Sequence, residues 1–321
     1  MKKVIFLILS LIASICTIQP MQRLVAKLGQ QSTQSIAKKG FSHFMTGLHW
    51  TIAAGLPISY AGFGAYFLDQ ERKYLQRYDT TDIIFYGTNK LTENCIKSKL
   101  QSIKNNSIKA VNVLPIPMMP IAHIGKTVIM DDKLHEELNQ AIKENDLAKQ
   151  NKLLSGFEHE ASHIHNNDLE KRYTAALTFP FATHITFKKV SNFIPQSIRI
   201  KSFIGQQAMK IPSGLAKLLA TLTGISVLGH YQEQRSDDEV SNNIDVLNGL
   251  KEFLQEGENA EIQAMNDPDL SIIKKAAGFI VTRFFHPSFS VRIKKVDQRI
   301  AQLKKSQQQQ QNETIKNRIQ R

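Results

Sequence analysis

The spacing of apolar residues changes character along this chain, and each change predicts a different kind of element. Two lysines are followed by an apolar run from Val4 to Ile15 that includes the small residues Ala13 and Ser14 near its end. This is the plan of a secretory signal, and at about 1.5 Å per residue the run covers roughly 18 Å, short of the roughly 30 Å hydrocarbon layer. Residues 1–18 therefore read as a signal peptide or N-terminal anchor, ahead of an N-terminal region at 19–80. From Gly40 to Leu68 no Lys, Arg, Asp or Glu occurs. The segment 47–68 is a candidate membrane insertion. Its rival is a buried helical hairpin, since Gly55, Pro57, Gly62 and Gly64 interrupt it.

From Thr81 the texture turns to short β-type runs: DIIFYG, KAVNVL at 109–114 and IAHIGKTVIM at 121–130, divided by Asn, Pro and Gly. They predict a small sheet. Asp131 to Lys149 is polar and helix-forming, and a second helical pattern starts near Asn151, with Leu154, Phe157, Ala161 and Ile164 at spacings of 3 and 4. Two later apolar patches, 174–187 and 215–229, are too short or too interrupted to read as spans, so a buried core helix is expected for both. Between them Lys188, Lys189, Arg199 and Lys201 stand among Phe and Ile, a composition suited to a lipid surface. The low-complexity polar run at 301–321 is expected to be a disordered, Gln-rich tail.

A chain of 321 residues is long enough to bury a sizeable core, and its formal charge of +13 points to an acidic partner. Aromatic residues do not interleave with Lys and Arg in any one stretch, so no nucleic-acid partner is expected; a basic surface facing lipid fits better. The two cysteines, Cys16 and Cys95, cannot build a disulfide framework or a Cys-based zinc site. Any metal must be held by His and carboxylate.

Residues 155–168, SGFEHEASHIHNND, contain His159, Glu160 and His163 in the pattern His-Glu-x-x-His. On a helix, positions four apart point within roughly 40° of each other, so the two imidazoles can reach one ion from successive turns. The apolar stripe falls on the side away from this pair. Glu160, directly after the first histidine, is splayed beside the ion, where it can take a proton from water that the metal activates. Catalytic zinc also needs a third protein ligand, and HYQEQRSDDEV offers one. Glu233 is the candidate ligand, and Asp237, one turn on, can accept a hydrogen bond from a ligand histidine. The rival reading of this pair is a solvated charged face.

These residues resemble the zinc metalloendopeptidase family of HtpX and the CAAX prenyl proteases, in the gluzincin group. His159, Glu160 and His163, with Asp168 five residues later, match its first motif. Glu233 and Asp237 match the second, with Ser236 where Ala is usual, and His286, Pro287, Arg292 and Ile293 match the third. Ser162 stands where the family usually has Gly. The resemblance covers about residues 81–300 and implies a mainly α (α+β) zincin-like domain there, with a small sheet and a helix carrying the motif; the one or more membrane-inserted helices expected beside it rest on the apolar segments, since the family's membrane topology does not transfer. It implies one zinc held by His159, His163 and Glu233, with Asp237 and Asp168 behind them. Glu160, His286 and Arg292 are the implied catalytic residues, the last two near the oxyanion; either could instead be structural. The stretch 121–130 is the candidate for the edge strand that would bind a polypeptide substrate in extended form.

The function expected is therefore peptide-bond hydrolysis in membrane or envelope quality control, by a chain located at the cell envelope or membrane. Two alternatives stand beside it: an inactive, chaperone-like zinc-binding member of the same fold, and a basic membrane-surface protein.

Overall fold

The computed structural model describes residues 31–78, 82–102, 107–115, 121–192, 203–268, 271 and 286–319. The expected signal peptide at 1–18, Arg199 and Lys201 lie outside them. The described chain is mainly helical with one small mixed sheet. The helices are α1 (Gln31–Gln76), α2 (Lys90–Ser102), α3 (Asp132–Lys143), α4 (Leu147–His165), α5 (Asp168–Asn192), α6 (Phe203–Ala208), α7 (Lys210–Glu239), α8 (Ile244–Asn266) and α9 (Phe289–Ile319). The strands are β1 (Ile84–Tyr86), β2 (Ala110–Val113), β3 (Ile121–Ile124) and β4 (Thr127–Met130).

The strands take the order β1-β2-β4-β3, with β1, β2 and β4 parallel and β3 antiparallel to β4. The stretch 121–130 is thus a hairpin. Among the described residues only its first half, β3, is an edge strand, because β4 pairs on both sides. The turn needs glycine: Gly125 has φ of +54°, and a Cβ there would stand 2.0 Å from the Glu71 carboxylate. That carboxylate accepts hydrogen bonds from the Lys126 amide at 2.7 Å and the Thr127 hydroxyl at 2.9 Å.

The chain divides into two units, each built from two segments: Met1–Gly62 with Ala175–Gly224, and Phe63–Thr174 with Ile225–Arg321. This differs from the single continuous domain expected at 81–300. The reason lies in packing across long sequence distances, since Phe41, Phe44, Met45, Leu48 and Ile52 of α1 cluster with Ile211 of α7. In the same unit Trp50 packs on His184 and Phe181. Lys217 donates to His49 Nε2 at 3.0 Å and to His184 Nδ1 at 3.1 Å.

Two helical stretches are long and apolar enough to cross a membrane, Lys38–Gln76 and Gly205–Glu239, with 33% and 22% of their apolar windows buried. The patch at 215–229 is therefore not the buried core helix its length suggested: Leu215, Leu219 and Val227 repeat on a face that nothing among the described residues covers. The patch at 174–187 likewise leaves Leu177, Phe181 and Ile185 exposed at fourfold spacing. Charge separates along the same division. Segments 1–62 and 175–224 hold twelve Lys and Arg and no Asp or Glu, whereas the second unit holds 29 against 28.

In the second unit α2, α3 and α4 pack on the sheet around Val111, Val128, Leu138, Phe157 and Ala161. A further cluster joins α8 and α9 through Leu247, Leu250, Leu254, Val296 and Ile300. Helix α8 comes against α4 at Gly249, where a Cβ would lie 2.6 Å from the Lys152 amide nitrogen. The Gln-rich run expected to be a disordered tail continues α9 to Ile319, with residues 304–315 exposed. Gln and Lys are good helix formers, and the packed start of α9 supplies the nucleus that such a run lacks alone.

Candidate metal centre

Two residues in the left-handed region set the frame of the site. Asn145, at φ +55°, breaks the polar helical stretch, and Asp146 caps α4 by accepting from the Lys149 amide at 3.0 Å. Helix α4 thus starts four residues before Asn151. At its other end Asn167, at φ +51°, turns the chain so that Asp168, the first residue of α5, folds back on the last turn of α4. Asp168 there accepts a hydrogen bond from His163 Nδ1 at 2.8 Å. Helix α4 is buried on both flanks, its apolar stripe in the sheet core and its histidines also covered.

The two histidines meet Glu233, 74 and 70 positions later on α7. His159 Nε2 lies 3.2 Å from Glu233 Oε2, His163 Nε2 lies 3.3 Å from Glu233 Oε1, and the two Nε2 atoms are 3.1 Å apart. Among the described residues this buried trio could hold a metal ion. Its dimensions fit: tetrahedral donors at zinc distances of about 2.05 Å stand about 3.3 Å from one another. Its chemistry fits as well. His159 Nδ1 donates to Asp237 Oδ1 at 2.9 Å, as His163 Nδ1 does to Asp168. When the rings are neutral, both Nε2 atoms are bare lone pairs facing one another and a carboxylate, an arrangement that a cation satisfies.

Without a cation, protons take that place. Burial works against charge on His159, but Asp237 and Glu233 outweigh it and raise the pKa to about 10. Burial likewise opposes charge on His163, and Glu233 and Asp168 overcome it to push its pKa up. At Asp168 burial is outweighed by hydrogen bonds from His163 and Arg235, and its pKa is lowered. Metal binding at such a site is a competition with protons.

The remaining sequence-predicted residues lie around this core. Glu160 accepts from His123 Nδ1 at 2.5 Å; burial alone would favour its neutral form, but that hydrogen bond lowers its pKa to about 2. His286 Nδ1 reaches Glu233 Oε1 at 3.0 Å, with 37% of its side chain exposed. Arg292 is buried. It grips Asp237 with two hydrogen bonds of 2.7 Å, from Nε and Nη2, and its Nη1 stands 3.5 Å from Glu233.

Several partners are not legible in the sequence. Arg172 donates to Glu233 at 3.0 Å and Arg235 to Asp168 at 2.5 Å. Ser162 and Ser236, the two positions that depart from the resembled pattern, hydrogen-bond each other at 3.1 Å, and Ser162 also donates to Glu239 at 2.5 Å. His123 stacks on His163 with ring centroids 5.2 Å apart. The one sequence signal for any of these is a lone histidine in an apolar strand. The arginines and serines read as ordinary helix-surface residues, because their partners lie more than 60 positions away. No protein-family model, curated protein or solved structure matches the chain.

Proposed function

We propose that the chain is a zinc-dependent metalloendopeptidase, of the kind implied by its resemblance to the HtpX and CAAX prenyl protease family. The observation that carries this reading is the donor trio of His159, His163 and Glu233, with each imidazole fixed from behind by its own carboxylate. Zinc held there supplies a Lewis acid that polarises a peptide carbonyl and makes water a better nucleophile. Glu160, kept ionised beside the trio, takes the proton from the attacking water and returns it to the leaving amine. Arg292 is occupied by Asp237 and acts by holding that carboxylate, and with it the His159 tautomer, in place. His286, beside Glu233 and with part of its side chain exposed, is the group this reading assigns to the developing oxyanion. The substrate is an extended polypeptide paired along the outer edge of β3. The apolar helices and the acid-free unit support a location at an anionic membrane surface.

The test is Glu160→Gln in purified, detergent-solubilised protein. Removing the base lowers casein cleavage by about 10²- to 10⁴-fold while about one zinc per chain remains. Undiminished cleavage in a variant that keeps its zinc refutes the assignment.

A further inference from the structure

Strand β3 is four residues long, and its alternation fixes which side chains look inward. Ile121 enters the core shared with α4, so His123, two residues on, falls on the same face. An apolar residue there would simply extend that core. Histidine instead reaches the acid of the motif: Nδ1 lies 2.5 Å from Glu160 Oε2, and among the described residues His123 is the only hydrogen-bond partner of that carboxylate. The ring is clamped on its other side by the stack on His163, at an interplanar angle of 19°. Its Nε2 is buried and meets no partner among the described residues, and neither ring nitrogen belongs to the donor trio.

We propose that His123 is a positioning residue, one that holds Glu160 in its working orientation from the strand along which substrate docks. The proposal rests on the peptidase reading above. A carboxylate at the second position of His-Glu-x-x-His has a flexible side chain, and no element other than β3 supplies it with a donor among the described residues. The same four-residue strand offers its outer backbone edge to an extended peptide, so substrate and base are held by one rigid element.

The experiment compares three substitutions in the full-length, zinc-loaded protein. Asn at 123 keeps an N–H close to where Nδ1 stands; Gln moves it one bond further out; Leu removes it. Misplacing a catalytic group by about 1 Å lowers rate about 100-fold. His123→Leu and His123→Gln should therefore lose about 100-fold in kcat with KM little changed, and His123→Asn should recover most of it. All three should keep about one zinc per chain, and after cobalt exchange the visible absorption band of the metal should match that of the wild type, because no ligand has changed. A merely structural role would lower zinc content, thermal midpoint and kcat together, with no rescue by Asn. Unchanged kcat in His123→Leu, failure of Asn to rescue, or a shifted cobalt band would each overturn the proposal. Wild-type protein that binds zinc and cleaves nothing would instead bring down the peptidase reading and this proposal with it.

Discussion

With Nε2 of His159, Nε2 of His163 and a Glu233 oxygen held within 3.3 Å of one another, zinc should bind the folded chain far better than the unfolded one. At free zinc a hundredfold above the dissociation constant, that preference is worth about 2.7 kcal/mol. For a unit of about 200 residues this raises the thermal midpoint by about 5 to 11 °C. The perturbation that tests the reasoning is Glu233→Gln. It removes the anionic donor, so the increment between chelated and zinc-loaded protein should vanish. It also leaves Arg172, Arg292 and His286 without their shared counter-charge. The metal-free midpoint should therefore fall too, as loss of one member of a buried ion pair costs about 3–5 kcal/mol. Intrinsic-fluorescence melts of each protein, with and without zinc, separate the two effects. Because the metal-free His159 titrates at about 10, zinc must displace its proton at neutral pH. Apparent affinity should rise about tenfold per pH unit for each proton displaced. A zinc increment that survives Glu233→Gln, or none in the wild type at saturating zinc, would show that these three groups do not share an ion.

Other consequences can be measured separately. Asp168→Asn loosens the acceptor behind His163 and should weaken zinc binding about 10- to 100-fold in a competition titration with a chromogenic chelator; unchanged affinity would leave Asp168 a purely structural role. Gly249→Ala places a methyl against the backbone of Asn151 and Lys152, and overpacking of this kind costs about 1–3 kcal/mol, more than the gain in helix propensity returns. A lower melting midpoint with zinc stoichiometry unchanged is the expected result, and a raised midpoint would contradict the close approach. The acid-free unit should bind short-chain phosphatidylglycerol in preference to phosphatidylcholine, with the preference fading as salt rises; equal binding of both lipids would count against an anionic partner.

Much of the local structure could be read directly. The β-type runs became strands because alternation and turn residues act within a few positions. The histidine pair could be placed on one helix because i and i+4 are neighbours whatever the rest of the chain does. The acid-free segments are likewise written in the composition. Helix α4 starts four residues before the apolar pattern that begins near Asn151, because only the left-handed Asn145 and the Asp146 cap reveal where one polar helix ends and the next begins.

Spacing and composition along the chain thus specify the small sheet, the motif helix, the donor types of the candidate centre and the surplus of positive charge. Only packing between distant helices brings Glu233 within 3.3 Å of both histidines, sets Arg172 against Glu233 and Arg235 and Arg292 against the carboxylates behind the histidines, and lets an edge-strand histidine donate to Glu160. It also decided that 175–224 clusters with the N-terminal segment. The physical reason is the same in each case. Periodicity reports which face of an element is apolar, but not which distant element will cover it, and buried charges find their partners only once helices far apart in sequence have packed.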